Sequence, residues 1–360
     1  MSTLMNIQWF ESDLDYNRLI LASDVGGTNT TLSLMAEREG DFAMLLKCAF
    51  QTRNVTSYAE CVEATLAEAA SRNTALRPTL CCISPAGPIE NNRCIMTNIA
   101  WQLDGQALEQ RFGFKTRLIN DFAAISYGLP LLDTRNPEQI TELPHPDEGL
   151  VSQVGTVQAV LGAGTGLGVG CIHQVGKRYV ALPSEGGHAG FAPFDTETRE
   201  LATYLHKRIG DYLDAELFVS GQGITNIYHY FKEVRRVPIE GHLAEIDALP
   251  DTEKPPLISR YSTTDPVCHD IFRLFVKVYG RFAGDVASFF LSRKGLYLAG
   301  GIVTKNEYHF LADDLFVRNF EKCYCPNIER VLKTIPVYIV KDYSVSLYGA
   351  ANAICNMLDD

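Results

Sequence analysis

Two short glycine–threonine turns, each set between apolar strand-like runs, constrain this 360-residue chain more than any other feature. The first, Asp24-Val25-Gly26-Gly27-Thr28, follows RLILAS and leads into the alternating Thr31, Leu32, Ser33 and Leu34. The second, Gly162-Ala163-Gly164-Thr165-Gly166-Leu167-Gly168, follows VQAVL and continues as Val169, Cys171 and Ile172. Helix-like and strand-like segments alternate after each. Two copies of a βββαβα unit explain the echo, and a cleft between the copies is then the expected place for a ligand. The length also suits two lobes better than one core.

Turns of this kind are built for anions. Glycines let backbone N–H groups approach a phosphate without a Cβ in the way, and a threonine hydroxyl adds a further hydrogen bond. Asp24 cannot bind phosphate itself; as a hard oxygen ligand its natural role is to hold Mg²⁺ through water. A type I′ hairpin that uses Gly26 and Gly27 for geometry alone is the competing reading of the first turn. The second turn has Leu167 where a dinucleotide fingerprint needs glycine, and strand rather than helix follows it. There is no G-x-x-x-x-G-K-[ST], no H-R-D loop and no D-F-G. A third turn, Gly300-Gly301-Ile302, lies between the strand GLYLA and a helix, where a flat adenosine can pack; an ordinary glycine turn is the alternative.

The rest of the chain bounds the function. A net charge of −11 argues against nucleic-acid or anionic-membrane partners, so phosphate has to be bound by backbone amides or a metal ion. No apolar stretch reaches the ~20 residues that span a bilayer. The N-terminus reads neither as a signal nor as a transit peptide, so cytoplasm is the expected compartment. The ten cysteines are expected as reduced thiols, and without a second paired cluster they do not suggest zinc.

Asn120-Asp121 stands where the strand RLI meets the helix FAAISYGL. That is a helix-cap position, and equally the strand end where ligands sit in doubly wound folds. Pro183-Ser-Glu185-Gly-Gly-His188 is a rigid glycine loop that can show a carboxylate and an imidazole to one polyol. Glu216, before LFVSGQG, is a third candidate for the same ligand, against a plain solvated glutamate. Residues 1–17 read as a loose arm, 131–155 as a polar, turn-rich connection, and 235–265 as an irregular, proline-bearing excursion. Single helices are expected over about 198–212, 223–232, 270–292 and 308–322.

Taken in order, these motifs resemble the bacterial-type glucokinases, the group that lacks the CxCGxxGC zinc motif of the repressor/open-reading-frame/kinase (ROK) family. LASDVGGTN, MTNIAWQLDG, LINDFAAISYGLP, LGAGTGLG, PSEGGHAGFAP, ELFVSGQGITNIY, YLAGGIV and PVYIVKD…LYGAANAI carry the likeness over roughly residues 19–356. The resemblance implies an α/β fold of two ribonuclease-H-like (actin-like ATPase) lobes around a central cleft. The small lobe is expected at 1–119 plus 343–360 and the large one at 120–342. It implies ATP-dependent phosphorylation of glucose at the 6-hydroxyl, the first step of glycolysis, with ATP and Mg²⁺ as cofactors and a homodimer as the assembly. By position, Asp121 is the catalytic base. Asn120, Glu185, His188 and Glu216 bind the sugar. Asp24, Gly26, Gly27, Thr28, Gly164 and Thr165 serve Mg²⁺ and the phosphates, and Gly300 and Gly301 the adenosine. A kinase for another hexose or an N-acetylhexosamine, or a non-catalytic sugar-sensing relative of the actin-like ATPases, are the alternatives.

Overall fold

The computed structural model describes residues 5–12, 15–96, 99–146 and 154–358. Contacts divide the chain into two compact units. One comprises Met1–Leu132, Gln174–Leu182 and Tyr343–Asp360; the other comprises Asp133–His173 and Pro183–Asp342.

The first unit opens with strands β1 (Met5–Trp9), β2 (Arg18–Val25), β3 (Asn29–Arg38) and β4 (Asp41–Gln51), followed by helix α1 (Tyr58–Arg72) and strand β5 (Leu80–Pro85). A small antiparallel sheet comes next, made of β6 (Ile89–Glu90), β7 (Arg93–Ile95) and β8 (Gln102–Asp104). Then come α2 (Gly105–Phe112), β9 (Lys115–Leu118) and α3 (Asp121–Gly128). The main sheet has the order β1-β4-β3-β2-β5-β9. β2 pairs antiparallel with β3 and parallel with β5, so its C-terminal end meets both the hairpin turn and the crossover side. Local signals set the helices. Ser57 caps α1, and Asp104 Oδ1 accepts from the N–H groups of Gln106 and Ala107 to start α2.

The second unit supplies β10 (Ile140–Leu143), β11 (Val157–Ala163) and β12 (Leu167–Val175); the next strand, β13 (Arg178–Leu182), belongs to the first unit. Helices α4 (Thr196–Ile209), α5 (Gly221–Glu233), α6 (His242–Asp247), α7 (Lys254–Tyr261) and α8 (Pro266–Phe290) follow. Next are β14 (Leu296–Ala299), α9 (Gly301–Lys305), α10 (Glu307–Leu311), α11 (Leu315–Glu321), α12 (Pro326–Leu332) and β15 (Val337–Val340). Its strands run β10-β15-β14-β11-β12. β11 repeats the surroundings of β2, with an antiparallel hairpin partner, β12, on one side and a parallel strand, β14, on the other. The sequence echo is therefore an echo of topology. Helix α8 carries the core of this unit. Gly280 and Gly284 let it approach α11 so closely that a Cβ at either position would overlap the carbonyl oxygen of Phe316 or Phe320. Among the described residues no helix is long and apolar enough to cross a membrane.

Four expectations are corrected. The opening residues read as a loose arm include β1, which pairs with β4 from Met5↔Phe50 to Trp9↔Leu46; the Trp9 indole donates to Glu68 at 2.9 Å. Part of the polar connection, Ile140–Leu143, is a strand antiparallel to β15, and residues 147–153 of that connection lie outside the described residues. The 235–265 excursion folds as α6 and α7, and the buried Lys254 ammonium at the start of α7 donates to the carbonyls of Ile246, Asp247 and Leu249 at and just beyond the end of α6. The helix expected over 308–322 breaks in two at Asp313 and Asp314, both at positive φ.

The last helix, α13 (Val345–Leu358), returns to the first unit and crosses α3 at backbone distance. A Cβ on Gly349 would overlap the Ala124 carbonyl, and one on Gly128 would overlap that of Val345. Asn352 Nδ2 donates to the Tyr127 carbonyl at 2.8 Å in the same crossing. α3, α13 and β2 lie together in the first compact unit. Substituting Gly349→Ala should therefore cost at least about 1–3 kcal/mol through overpacking. A lowered midpoint in urea or thermal melts checks this, and an unchanged midpoint would mean that the helices can separate without cost.

Candidate active site

In the first unit, Val25 pairs with Thr30, leaving Gly26–Asn29 as the turn, closed by Gly26 N–H donating to Asn29 O at 2.9 Å. Neither Gly26 nor Gly27 takes a positive φ. A two-residue type I′ hairpin, which needs positive φ at both central positions, is thereby excluded. Thr28 is exposed at the tip. A residue the sequence reading missed, Thr52 at the end of β4, supports the turn from below: its hydroxyl donates to Gly26 O at 2.8 Å and its N–H to Thr28 O at 2.9 Å.

Asp24, the last residue but one of β2, is half-buried beneath this turn. Loss of water contact pushes its carboxyl above the usual carboxylate range, opposed by the Ser346 hydroxyl, which donates to Oδ2 at 2.7 Å, and by the nearby Lys47. Ser346 stands in the first turn of α13, more than three hundred residues along the chain. No local pattern announces it.

Asn120, not Asp121, is the cap of α3: its Oδ1 accepts from the N–H groups of Phe122 (2.9 Å) and Ala123 (3.3 Å). Its amide N–H₂ is thus what Asn120 has to offer a ligand. Asp121 is the first residue of the helix, half-buried, with Oδ1 accepting from Phe122 N–H at 2.9 Å. The capping role that competed with chemistry in the sequence falls to its neighbour. Of the loop before α2, Thr97 and Asn98 lie outside the described residues.

In the second unit, Ala163 pairs with Leu167 and the turn is Gly164-Thr165-Gly166, with Gly164 and Thr165 exposed. Gly164 N–H donates to Gly166 O at 2.9 Å, and Gly164 O accepts from Gly221 N–H, at the start of α5, at 2.8 Å. Glu216, on a 3₁₀ turn at Ala215–Leu217, reaches this hairpin: Oε2 accepts from Leu167 N–H at 2.8 Å. A Cβ on Gly166 would lie 2.6 Å from that oxygen and would push the Glu216 carboxylate aside. The loop bearing Glu185 and His188 packs on the same hairpin through Gly187, whose Cβ would overlap Leu167 O. Glu185 is exposed.

His188 is exposed, with Nδ1 2.9 Å from Asp214 Oδ2 and its carbonyl accepting from the Tyr212 hydroxyl at 3.0 Å. The hydrogen bond to Asp214 raises its pKa above the ordinary histidine value, and the charges of Glu216, Asp214 and Glu185 add to the rise against partial desolvation. Glu185 and Glu216 are therefore both within electrostatic reach of His188. Gly300 adopts φ 98° and ψ 160°, and a Cβ there would meet Ala163 O at 2.9 Å, so the third turn abuts the strand end that carries the second. Gly301 opens α9.

A strand–glycine turn–strand motif at the head of each of two matching sheets, with Asp24 beside the first turn and Glu216 against the second, is the arrangement of the actin-like ATPase sugar kinases. Solved structures agree. A glucokinase from an Antarctic psychrotroph superposes with a TM-score of 0.79 at 26% identity, covering 94% of this chain and 99% of that one. A ROK family glucokinase from Streptomyces griseus, solved with glucose and AMPPNP, gives a TM-score of 0.60 at 20% identity over 93% and 98% of the two chains. The family model for glucokinase matches residues 21–357, and the glucokinase of Trichormus variabilis is 32% identical over 350 residues, 92% of this chain and 98% of its own. The chain belongs to the glucokinase family.

His188 should titrate above the ordinary histidine range. Its raised value means that the folded state favours the imidazolium, a preference fully present below pH ~6.5 and lost as pH rises through the folded-state value. Following the imidazole Cε1 proton by NMR tests this, and a midpoint at or below that of free histidine contradicts it.

Proposed function

We propose that the chain transfers the γ-phosphoryl group of ATP to the 6-hydroxyl of glucose, with Asp121 as the base that takes the hydroxyl proton. The O6–Pγ bond forms as the bond from Pγ to the β,γ-bridging oxygen breaks, and ADP leaves with that electron pair. Such a transfer depends on positioning and charge stabilisation rather than on covalent chemistry with the protein.

Each residue has a role suited to its local geometry. Asp121 holds a carboxylate at the head of α3 that its neighbour relieves of capping. Asn120 offers its amide N–H₂ to a sugar hydroxyl. Glu185, His188 and Glu216 together give two carboxylates and an imidazole, matching the adjacent donors and acceptors of a hexose. The exposed Thr28 and Thr165 at the tips of the two turns offer hydroxyl donors for the phosphate chain of ATP, and the Gly300–Gly301 backbone leaves room for adenosine.

Mg²⁺ fits the first unit through Asp24. Among the described residues no group of three His, Cys, Asp or Glu stands ready as a metal cage. Asp24 is one hard oxygen ligand at the C-terminal end of β2, beside the first turn, and it would hold Mg²⁺ there, with water supplying other ligands. Bound there, the ion would neutralise phosphate charge. A place at the first step of glycolysis, a cytoplasmic location and a homodimer belong to the same reading and rest on the family resemblance.

The observation that carries the reading is Glu216, because its carboxylate at once touches the glycine turn and shares the electrostatic surroundings of His188. A coupled assay with ATP and glucose should show turnover, and Asp121→Ala should lower kcat by roughly 10²–10⁴ while glucose binding by calorimetry survives. Unchanged turnover in that variant would remove Asp121 from its role.

A further inference from the structure

We propose that Asp214 is the positioning residue of the sugar site, fixing the tautomer of His188 with one carboxylate oxygen and the placement of Glu216 with the other. This rests on the reading of His188 and Glu216 as sugar ligands. Oδ2 lies 2.9 Å from His188 Nδ1, and Oδ1 accepts from Leu217 N–H at 3.2 Å, capping the 3₁₀ turn on which Glu216 stands. The backbone holds the pair in register: Gly190 and Asp214 form an isolated antiparallel bridge, Phe191 N–H donates to Leu213 O at 2.9 Å, and Ala215 N–H donates to Ala189 O at 2.9 Å. The His188 side chain is 56% exposed and that of Asp214 only 18%, so the carboxylate acts from beneath and leaves the imidazole facing outward.

The chemistry follows from the inventory of donors. A carboxylate accepts only, so neutral His188 carries its proton on Nδ1 and presents Nε2 as an acceptor. A sugar hydroxyl can then donate to Nε2. Through Glu216 the same carboxylate also bears on the second glycine turn, since Glu216 Oε2 accepts from Leu167 N–H. One side chain thus sets an acceptor for the sugar and the position of a carboxylate that touches the phosphate turn.

An amide in place of Asp214 has a single acceptor oxygen for two donors. If it caps Leu217, its N–H₂ faces Nδ1 and moves the imidazole proton to Nε2, turning the acceptor into a donor. Asp214→Asn should raise the KM for glucose roughly 10- to 100-fold, the scale of one lost charge-assisted hydrogen bond, with a much smaller change in the KM for ATP. Asp214→Ser keeps a capping oxygen and removes the partner of His188, so it should show the same rise with a melting temperature near that of the parent.

The deciding comparison adds His188→Gln alone and combined with Asp214→Asn. If Asp214 acts through His188, the double variant is no worse for glucose than His188→Gln by itself. A glucose KM that rises in His188→Gln but stays at the parent value in both Asp214 variants overturns the proposal and leaves the sugar-site reading standing. So do fully multiplicative effects in the double variant. An unchanged glucose KM in His188→Gln overturns both.

Discussion

The crossing of α13 over α3 is the constraint on which the chemistry of the first unit depends. Two helices meet at backbone distance only where Cβ atoms are missing, and Gly128 and Gly349 provide that gap. Once seated, α13 delivers Ser346 to Asp24 at the end of β2, while α3 carries Asp121 on its first residue. The metal-binding candidate and the base candidate are thus referred to a single helix. Rigid supports of this kind suit a reaction governed by position, where a displacement of about 1 Å is costly.

The second unit reaches the same end by a different route. Its functional loops come from distant stretches of sequence and converge on the end of β11. The 185–188 loop rests on Leu167 through Gly187, Glu216 binds the Leu167 N–H, the start of α5 binds Gly164 O, and Gly300 lies against Ala163. Two of these contacts need glycine for space, at Gly187 and Gly300, and Gly300 also needs it for conformation, since positive φ of this kind is strained for other residues. Glycine here marks backbone touching backbone, which explains why motifs scattered through the sequence behave as one surface in the fold.

Much of this was legible in the residues because turns and amphipathic helices are local. The two glycine–threonine turns, the long helix α8 and the strand plan came from spacing and alternation, and the topology of β11 repeats that of β2 as the echo implied. What was missed depends on partners far along the chain. β1 is a strand because β4 offers it an edge; the end of α6 is closer at hand, but the Lys254 side chain that meets its carbonyls carries no pattern of its own. The break at Asp313–Asp314 sits in a run whose periodicity shows no interruption. Among site residues, Thr52, Asp214 and Ser346 carry no motif of their own; each acts by holding a residue that does.

That division has a physical origin. A chain of net charge −11 that handles a polyanion cannot rely on a basic surface, so its donors have to be amides and hydroxyls whose aim is set by the fold. Amide donors leave no trace in sequence beyond the glycines that uncover them. The side chains that aim those amides are ordinary serines, threonines and aspartates, indistinguishable locally from any others of their kind. A preorganised array of weak donors works only if each is held against reorganisation, and the contacts holding it are numerous, individually small and non-local. Groups proposed to touch ligand are therefore the ones that pattern singles out, whereas groups that fix them become visible only once the two ends of each contact are brought together.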